Sequence, residues 1–399
     1  MISPIEGAQG SRQTDCAQAL AARVREFVLH KVVPYEKDPR WGAHGPSEDM
    51  IIDLQDLARA AELLTPQIRS DGSHLSYHEL APVLRAAGLS PLGPLALNVA
   101  APDEGNMYLI GKIGTADQKR RFLEPLVAAR MRSAFFMAEP AASGGAGSDP
   151  SMMITVAKPD ADYWVIEGRK AFITGALGAG VGIIMAKTGD SATMFLVDLP
   201  NPAVRIERVL DTLDGSMPGG HALVRLEGLR VPSDQILGKL NEGFKYAQVR
   251  LAPARLTHCM RWLGAAIRCH GLACDYAVRR EAFGKKIIEH EGVGFMLADN
   301  AIDLKQSELM IDWCAKVIDT GASAITESSM TKVAVSEALF RVADRCVQVM
   351  GGTGLTRDTI VERVFREIRA FRIYDGPSEV HRWSIAKTIS KDTLSKVTT

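Results

Sequence analysis

Near the C-terminus, the stretch RIYDGPSEVHR (Arg372 to Arg382) sets one carboxylate, Asp375, between Tyr374 and the pair Gly376-Pro377. The run that follows reads as a helix. Pro377 suits its first position, where a missing N–H costs nothing, and Ser378 and Glu379 suit its first turn. A carboxylate carried on an ordered loop at such an entrance is placed to take a proton from a bound substrate. An ordinary capping aspartate would look the same, and this stretch alone does not choose between them.

Three other stretches carry candidate chemistry. In FFMAEPAASGGAGSDPSMM, Phe135 to Met153, a strand runs through Glu139-Pro140 into a small-residue loop ending Gly147-Ser148-Asp149. Such a loop exposes backbone N–H groups to a flat ring or a phosphate, or is simply a surface loop. In RREAFGKKIIEH, Arg279 to His290, Arg280 could clamp a pyrophosphate beside Phe283, although a solvated basic helix end has the same composition. In VQVMGGTGLTRD, Val347 to Asp358, a helix stops at Gly351-Gly352. The glycines serve a C-cap and equally allow close approach of a cofactor, but the GxGxxG spacing is absent.

These residues need a large scaffold. With 399 residues the chain exceeds one ordinary core, and its 46% hydrophobic and 24% charged content is that of a globular protein. Lys+Arg and Asp+Glu balance at 47 each, so no global charge favours nucleic acid or an anionic membrane surface. No apolar run approaches the roughly 20 residues that span a bilayer. The six cysteines lack CxxC spacing, so buried thiols are expected rather than a metal site. The first residues show no leader character and the last four, KVTT, no address signal, so a cytoplasmic enzyme is the expectation.

Periodicity divides the chain into an N-terminal helical domain (1–132), a middle β domain (133–240) and a C-terminal helical bundle (241–399). AQALAARVREFVLHKVV, EDMIIDLQDLARAAELL, YHELAPVLRAAGL and ADQKRRFLEPLVAA each place apolar residues on one helical face. Seven β-prone runs follow, from SAFFMAE to HALVRLEGLRVP, punctuated as in a small β-barrel or sandwich. Helices are then predicted over Leu256–Arg280, Gly292–Thr320, Thr326–Met350 and from Pro377 onward.

Taken in order, AEP with GSD, KAFITG, LRVPSDQILG-NEGF, RREAFGK, QVMGGTG and IYDG-SEVHR resemble the landmarks of the acyl-CoA dehydrogenase flavoproteins over nearly the whole chain. APDEGNM, GGHALVRLEGLRVP and APARLTHCMR look closest to the branch of family members ten and eleven. The resemblance implies a multidomain α and β fold with a middle β-barrel domain, FAD bound between the middle and C-terminal domains, and a homodimer or homotetramer. Carried over by position, Met137, Ala138, Phe172 and Thr174 lie against the isoalloxazine. Arg280, Phe283, His290, Gln348, Gly351 and Gly352 meet the pyrophosphate and adenosine, and Ser378 and Glu379 the flavin side of the terminal loop. Ser148 and Arg255 match positions that hold CoA, Tyr374 and Gly376 line the substrate, and no metal is implied.

The activity implied is α,β-dehydrogenation of an acyl-CoA in fatty acid β-oxidation. Asp375 would take the α-proton and flavin N5 the hydride, with an electron-transfer flavoprotein as acceptor. Asp375 is one methylene shorter than the glutamate many members carry. The position from which other branches supply the base is Ala254, so Asp375 is the one positional candidate. Ala138 replaces a threonine common beside the flavin, and Ala252 an acidic residue that helps hold CoA. Aspartate at the base position also fits a flavin oxidase of a small carbon acid such as a nitroalkane. A nucleic-acid-associated flavoprotein of the same fold is disfavoured by the balanced charge.

Overall fold

The computed structural model describes the chain apart from residues 1–5, 70–71, 142–143, 145–146, 148 and 398–399. Along the sequence the elements run helical, then β, then helical, as periodicity predicts. By internal contacts they form two compact units. One comprises Met1–Glu36, Pro66–Pro94 and Arg255–Thr399, the other Lys37–Thr65 and Leu95–Ala254.

The second unit is built on seven strands: β1 (Ser133–Phe136), β2 (Val156–Asp160), β3 (Tyr163–Thr174), β4 (Val181–Thr188), β5 (Ser191–Asp198), β6 (Val204–Leu210) and β7 (His221–Pro232). They form a curled mixed sheet in the order β1-β4-β2-β3-β7-β6, with β5 pairing antiparallel to β4. Strand β4 pairs parallel with both β1 and β2, which makes the sheet mixed, and its pairing with β1 sets the end of β1 beside the sheet's interior. Strand β4 is apolar on both faces because both are covered. Its Val181, Ile183 and Met185 pack with Met107, Ile110, Phe122, Tyr246 and Leu251, while Ile184 and Ala186 join Phe136, Ile166, Phe195 and Val224. The helix Asp103–Ile113, which supplies part of the first cluster, was not among the predicted segments.

The first unit is helical. Helices Ile325–Met350 and Glu291–Asp319 are pinned where Asp303 accepts from Arg341 and, at 2.7 Å, from Arg345. Asp319, at the end of one helix, caps the start of Tyr77–Ala87 by accepting from the Tyr77 and His78 amides at 2.7 and 2.8 Å. A Cβ on Gly88 would lie 1.8 Å from the Arg261 carbonyl oxygen, and one on Gly264 would lie 2.1 Å from that of Arg85. These two glycines let the Tyr77–Ala87 segment and the long helix that follows the β region touch backbone to backbone.

That long helix spans Gly243–Arg279, beginning 13 residues before the predicted Leu256 start and carrying Pro253 inside it. Proline removes one helical hydrogen bond, but every residue from 251 to 266 is buried. Burial of that many apolar groups outweighs a local cost of about 3 kcal/mol. Four of the six cysteines are buried free thiols, as expected. Among the described residues no helix is long and apolar enough to cross a membrane.

Candidate active site

In the helical unit, the amphipathic helix Val361–Phe371 buries Phe371 at its end and gives way to turns over 372–376 before helix Ser378–Val397. Asp375 sits in the left-handed region at φ +53°, and Gly376 follows at φ +104°. A side chain at 376 would meet the His381 ring at 2.6 Å, so glycine is required there by space as well as by φ. Pro377 serves as the cap rather than the first helical residue, its carbonyl accepting from the His381 amide at 3.1 Å.

A non-glycine residue at positive φ costs on the order of 1–3 kcal/mol unless its surroundings over-determine it, and here they do. The Asp375 carbonyl accepts from Arg255 Nε at 3.0 Å and from His381 Nε2 at 3.1 Å. The Gly376 carbonyl accepts from Lys332 Nζ at 2.6 Å. None of these anchors uses the Asp375 carboxylate. That group is 21% exposed, and its Oδ2 lies 3.4 Å from Nε2 of the buried His258. Tyr374 packs on the His258 ring at 4.9 Å and on Phe371 at 5.4 Å, while its hydroxyl accepts from Trp262 Nε1 at 2.5 Å. Both rotatable ends of the tyrosine are thereby fixed.

Burial pulls the Lys332 ammonium down to about 8, against the attraction of Asp375. His381 is pushed down to about 4, first by burial and then by the Arg255 and Lys332 charges. A neutral ring therefore donates from Nε2 to Asp375 and accepts the Ser329 hydroxyl at Nδ1, 3.0 Å away. The unfolded chain, with an ordinary histidine near 6.5, binds this proton more readily than the folded one. Stability is then full above pH 6.5 and falls as pH drops toward 4, by about 3 kcal/mol in all. His381→Gln is expected to flatten that fall, read as urea midpoints at pH 7 and pH 4.5 for both proteins. Parallel slopes would remove His381 as the cause.

In the β unit, the predicted ring-facing residues converge where β1 ends beside β3. The Ala171 amide donates to the Ala138 carbonyl at 3.0 Å, and Lys170 Nζ donates to the Met137 carbonyl at 3.2 Å. Lys170 and Glu139 form an ion pair at 3.0 Å with both side chains 0% exposed. Burial draws Lys170 down to about 8 despite Glu139. Burial also pushes Glu139 upward, but the Lys170 charge and the Ile154 and Thr155 amides prevail and leave it below its usual range. The β3–β7 register shifts between Lys170 and Ile173. At that bulge Phe172 takes φ +56° and stands 63% exposed, an aromatic face turned out of the sheet. Thr174 re-enters the register opposite His221, and its Oγ1 lies 2.9 Å from His221 Nδ1. His221 Nε2 in turn lies 2.9 Å from Asp214 Oδ2.

The remaining predicted cofactor contacts belong to the helical unit, and all those described except Ser378 stand at or near its surface. Arg280 is exposed and makes no ion pair among the described residues. Phe283, 96% exposed at φ +51°, tips the short hairpin Glu281–Ala282/Lys285–Lys286, with His290 edge-on at 6.2 Å and held by the Ala282 carbonyl at 3.0 Å. Gln348 is exposed, as are Gly351 and Gly352, where an added Cβ would meet nothing within 4 Å. Gly351 ends its helix at φ 57°, ψ −135°, a positive-φ stop as predicted but not a left-handed helical one. Ser378 is buried and Glu379 exposed. Ser148 lies outside the described residues. Within the helical unit, an open guanidinium, accessible glycine backbone and the exposed Phe283 suit the phosphates and rings of a nucleotide; within the β unit, the exposed Phe172 suits a flat ring.

Sequence reasoning did not single out His258, Lys332, His381, Trp262, His221, Asp214 or the Glu139–Lys170 pair. Two signals were readable. His258 stands one helical turn after Arg255, and Glu139 directly follows the apolar run Ala134–Ala138.

Comparison with known proteins agrees with this fold. The chain matches the family models for the acyl-CoA dehydrogenase middle domain over 134–219 and C-terminal domain over 241–390. It is 36% identical to "Probable acyl-CoA dehydrogenase FadE2" of Mycobacterium tuberculosis, over 95% of this chain and 96% of that protein. It is 34% identical to acyl-CoA dehydrogenase family member 11 of Gallus gallus over 97% of its own length, but spans only 52% of that relative. The fold superposes at TM-score 0.84 on a glutaryl-CoA dehydrogenase from Mycobacterium smegmatis in complex with FADH2, at 23% identity over 98% of this chain and 99% of that one.

Proposed function

This chain belongs to the acyl-CoA dehydrogenase family, and from that premise we propose that it dehydrogenates an acyl-CoA thioester with bound FAD and Asp375 as the base. The observation that carries the reading is the Asp375 loop. Its backbone is tied down by Arg255, His381 and Lys332, while the carboxylate itself is left partly exposed. A base gains most when it is held in reach of its proton before the substrate arrives.

In this reading Asp375 takes the proton from Cα and keeps it on its carboxylate, beside His258. Arg255 holds the loop, and with Tyr374, Gly376 and Ser148 contributes to substrate binding. FAD, when bound, supplies the hydride acceptor for Cβ. Met137, Ala138, Phe172 and Thr174 orient its ring, and Arg280, Phe283, His290, Gln348, Gly351, Gly352 and Glu379 bind its remainder, with Ser378 supporting the turn. An electron-transfer flavoprotein as electron acceptor, a homo-oligomeric assembly and a place in fatty acid β-oxidation complete the proposal. They are supported by the family likeness.

One anaerobic titration tests it. The FAD-loaded protein is expected to lose its visible flavin absorbance on adding acyl-CoA thioesters, with a preferred chain length. Bleaching by nitroalkanes alone would favour the oxidase of small carbon acids, and no response to either class would sink both.

A further inference from the structure

Asp214, His221 and Thr174 form an unbroken polar chain in the β unit, with 2.9 Å between Asp214 and His221 and 2.9 Å between His221 and Thr174. Asp214 and His221 are largely covered, at 9% and 13% side-chain exposure, while Thr174 is half-buried at the end of β3. Burial raises Asp214, but the hydrogen bond from His221 outweighs it and leaves the carboxyl below its usual range. The other titratable groups near this turn are His44, beside Gly220, and Asp211, which pair with each other at 3.5 Å.

A carboxylate only accepts hydrogen bonds, so a neutral imidazole must donate to it from Nε2. Its Nδ1 is then a bare lone pair, and the one proton available to that contact is the Thr174 hydroxyl's. With its proton committed to His221, Thr174 offers only oxygen lone pairs to anything on its open side. Removing the carboxylate's acceptor character reverses the whole chain. An amide at 214 can donate to Nε2, moving the ring proton to Nδ1, which then donates to Thr174 and frees the hydroxyl proton.

We propose that Asp214 and His221 are positioning residues that hold Thr174 as a hydrogen-bond acceptor toward the bound flavin, biasing the flavin toward its reduced form. The bias follows because two-electron reduction adds N–H to a ring edge that is lone-pair-bearing when oxidised. An acceptor beside that edge favours the reduced form, and a donor favours the oxidised one. This rests on the preceding reading in one respect, that Thr174 faces the flavin.

The test uses FAD-loaded protein at about pH 8.5, where imidazoles in general are neutral, and measures the flavin's reduction potential together with the His221 ring-nitrogen NMR shifts. Wild type is expected to protonate Nε2, and Asp214→Asn to protonate Nδ1. The variant's equilibrium between oxidised and reduced flavin should move about tenfold toward oxidised, ~30 mV for a two-electron couple. In a Thr174→Val background the Asp214→Asn shift should vanish, because the relay has lost its last member. Equal potentials for wild type and Asp214→Asn would overturn the inference and leave the chain as a cross-strand staple. So would Nδ1 protonation in wild type, a result that needs no variant to fold. If wild type binds no FAD, the functional reading itself falls and takes this inference with it, an outcome distinct from FAD bound with unaltered potential.

Discussion

Asp375→Asn is expected to retain FAD while losing reduction by acyl-CoA about a thousandfold or more, measured as the rate of anaerobic flavin bleaching after rapid mixing. Retention follows from how the loop is held. The Arg255, His381 and Lys332 bonds run to the carbonyls of Asp375 and Gly376 and do not involve the carboxylate. An amide keeps the size and can keep the 3.4 Å contact with His258, but it cannot take a proton. Asp375→Glu serves as the complementary variant. It preserves the base but pushes it past the distance at which His258 and the strained backbone hold it, and displacement by about an ångström costs ~100-fold. Asp375→Asn bleaching at the wild-type rate would remove Asp375 as the base.

The second large effect is on stability. Glu139→Ala is expected to cost ~3–5 kcal/mol, seen as a drop in the urea midpoint, because it leaves Lys170 as a buried charge without its partner. It also orphans the Ile154 and Thr155 amides that Glu139 accepts at 2.7 and 3.0 Å. Lys170→Met should cost less, since the Glu139 carboxylate would keep those two donors. Combining Lys170→Met with Glu139→Gln should recover stability toward wild type, a buried pair being worth little more than a neutral replacement. The pair also aligns Met137 and Ala138 with Ala171 through Thr174, so Glu139→Ala should release FAD more readily. A midpoint unchanged from wild type would show that the pair is not structurally coupled to the sheet.

The wall of β residues and the base loop differ in how far they could be read in advance. Strands β6 and β7 were predicted at the residues where they occur because turn residues punctuate them; β7 alternates in burial up to the bulge at Gly228, while β6 is irregular between Ile206 and Arg208. Phe172 was assigned to the cofactor by family likeness, and its exposure comes from the bulge after Lys170, which local propensity does not encode. The start of the long helix was misplaced because Pro253 reads locally as a break, and only the burial on both sides of it overrides that preference. His381 offered no signal at all. A histidine on a terminal helix looks solvent-facing until the loop before it folds back onto its ring.

By itself the sequence determined the family and the helical, β, helical order of elements, since both rest on residue types at short, ordered spacings; it offered Asp375 as the positional candidate for the base proposed above. The tertiary structure alone decided what holds the loop that carries that carboxylate and what holds Thr174. Arg255, His258, Lys332 and His381 lie up to 120 positions from the loop they serve, and His221 lies 47 positions from Thr174. No periodicity reports such separations. They are selected by burial, where each unpaired polar group costs on the order of 1–3 kcal/mol and the chain settles where donors and acceptors meet.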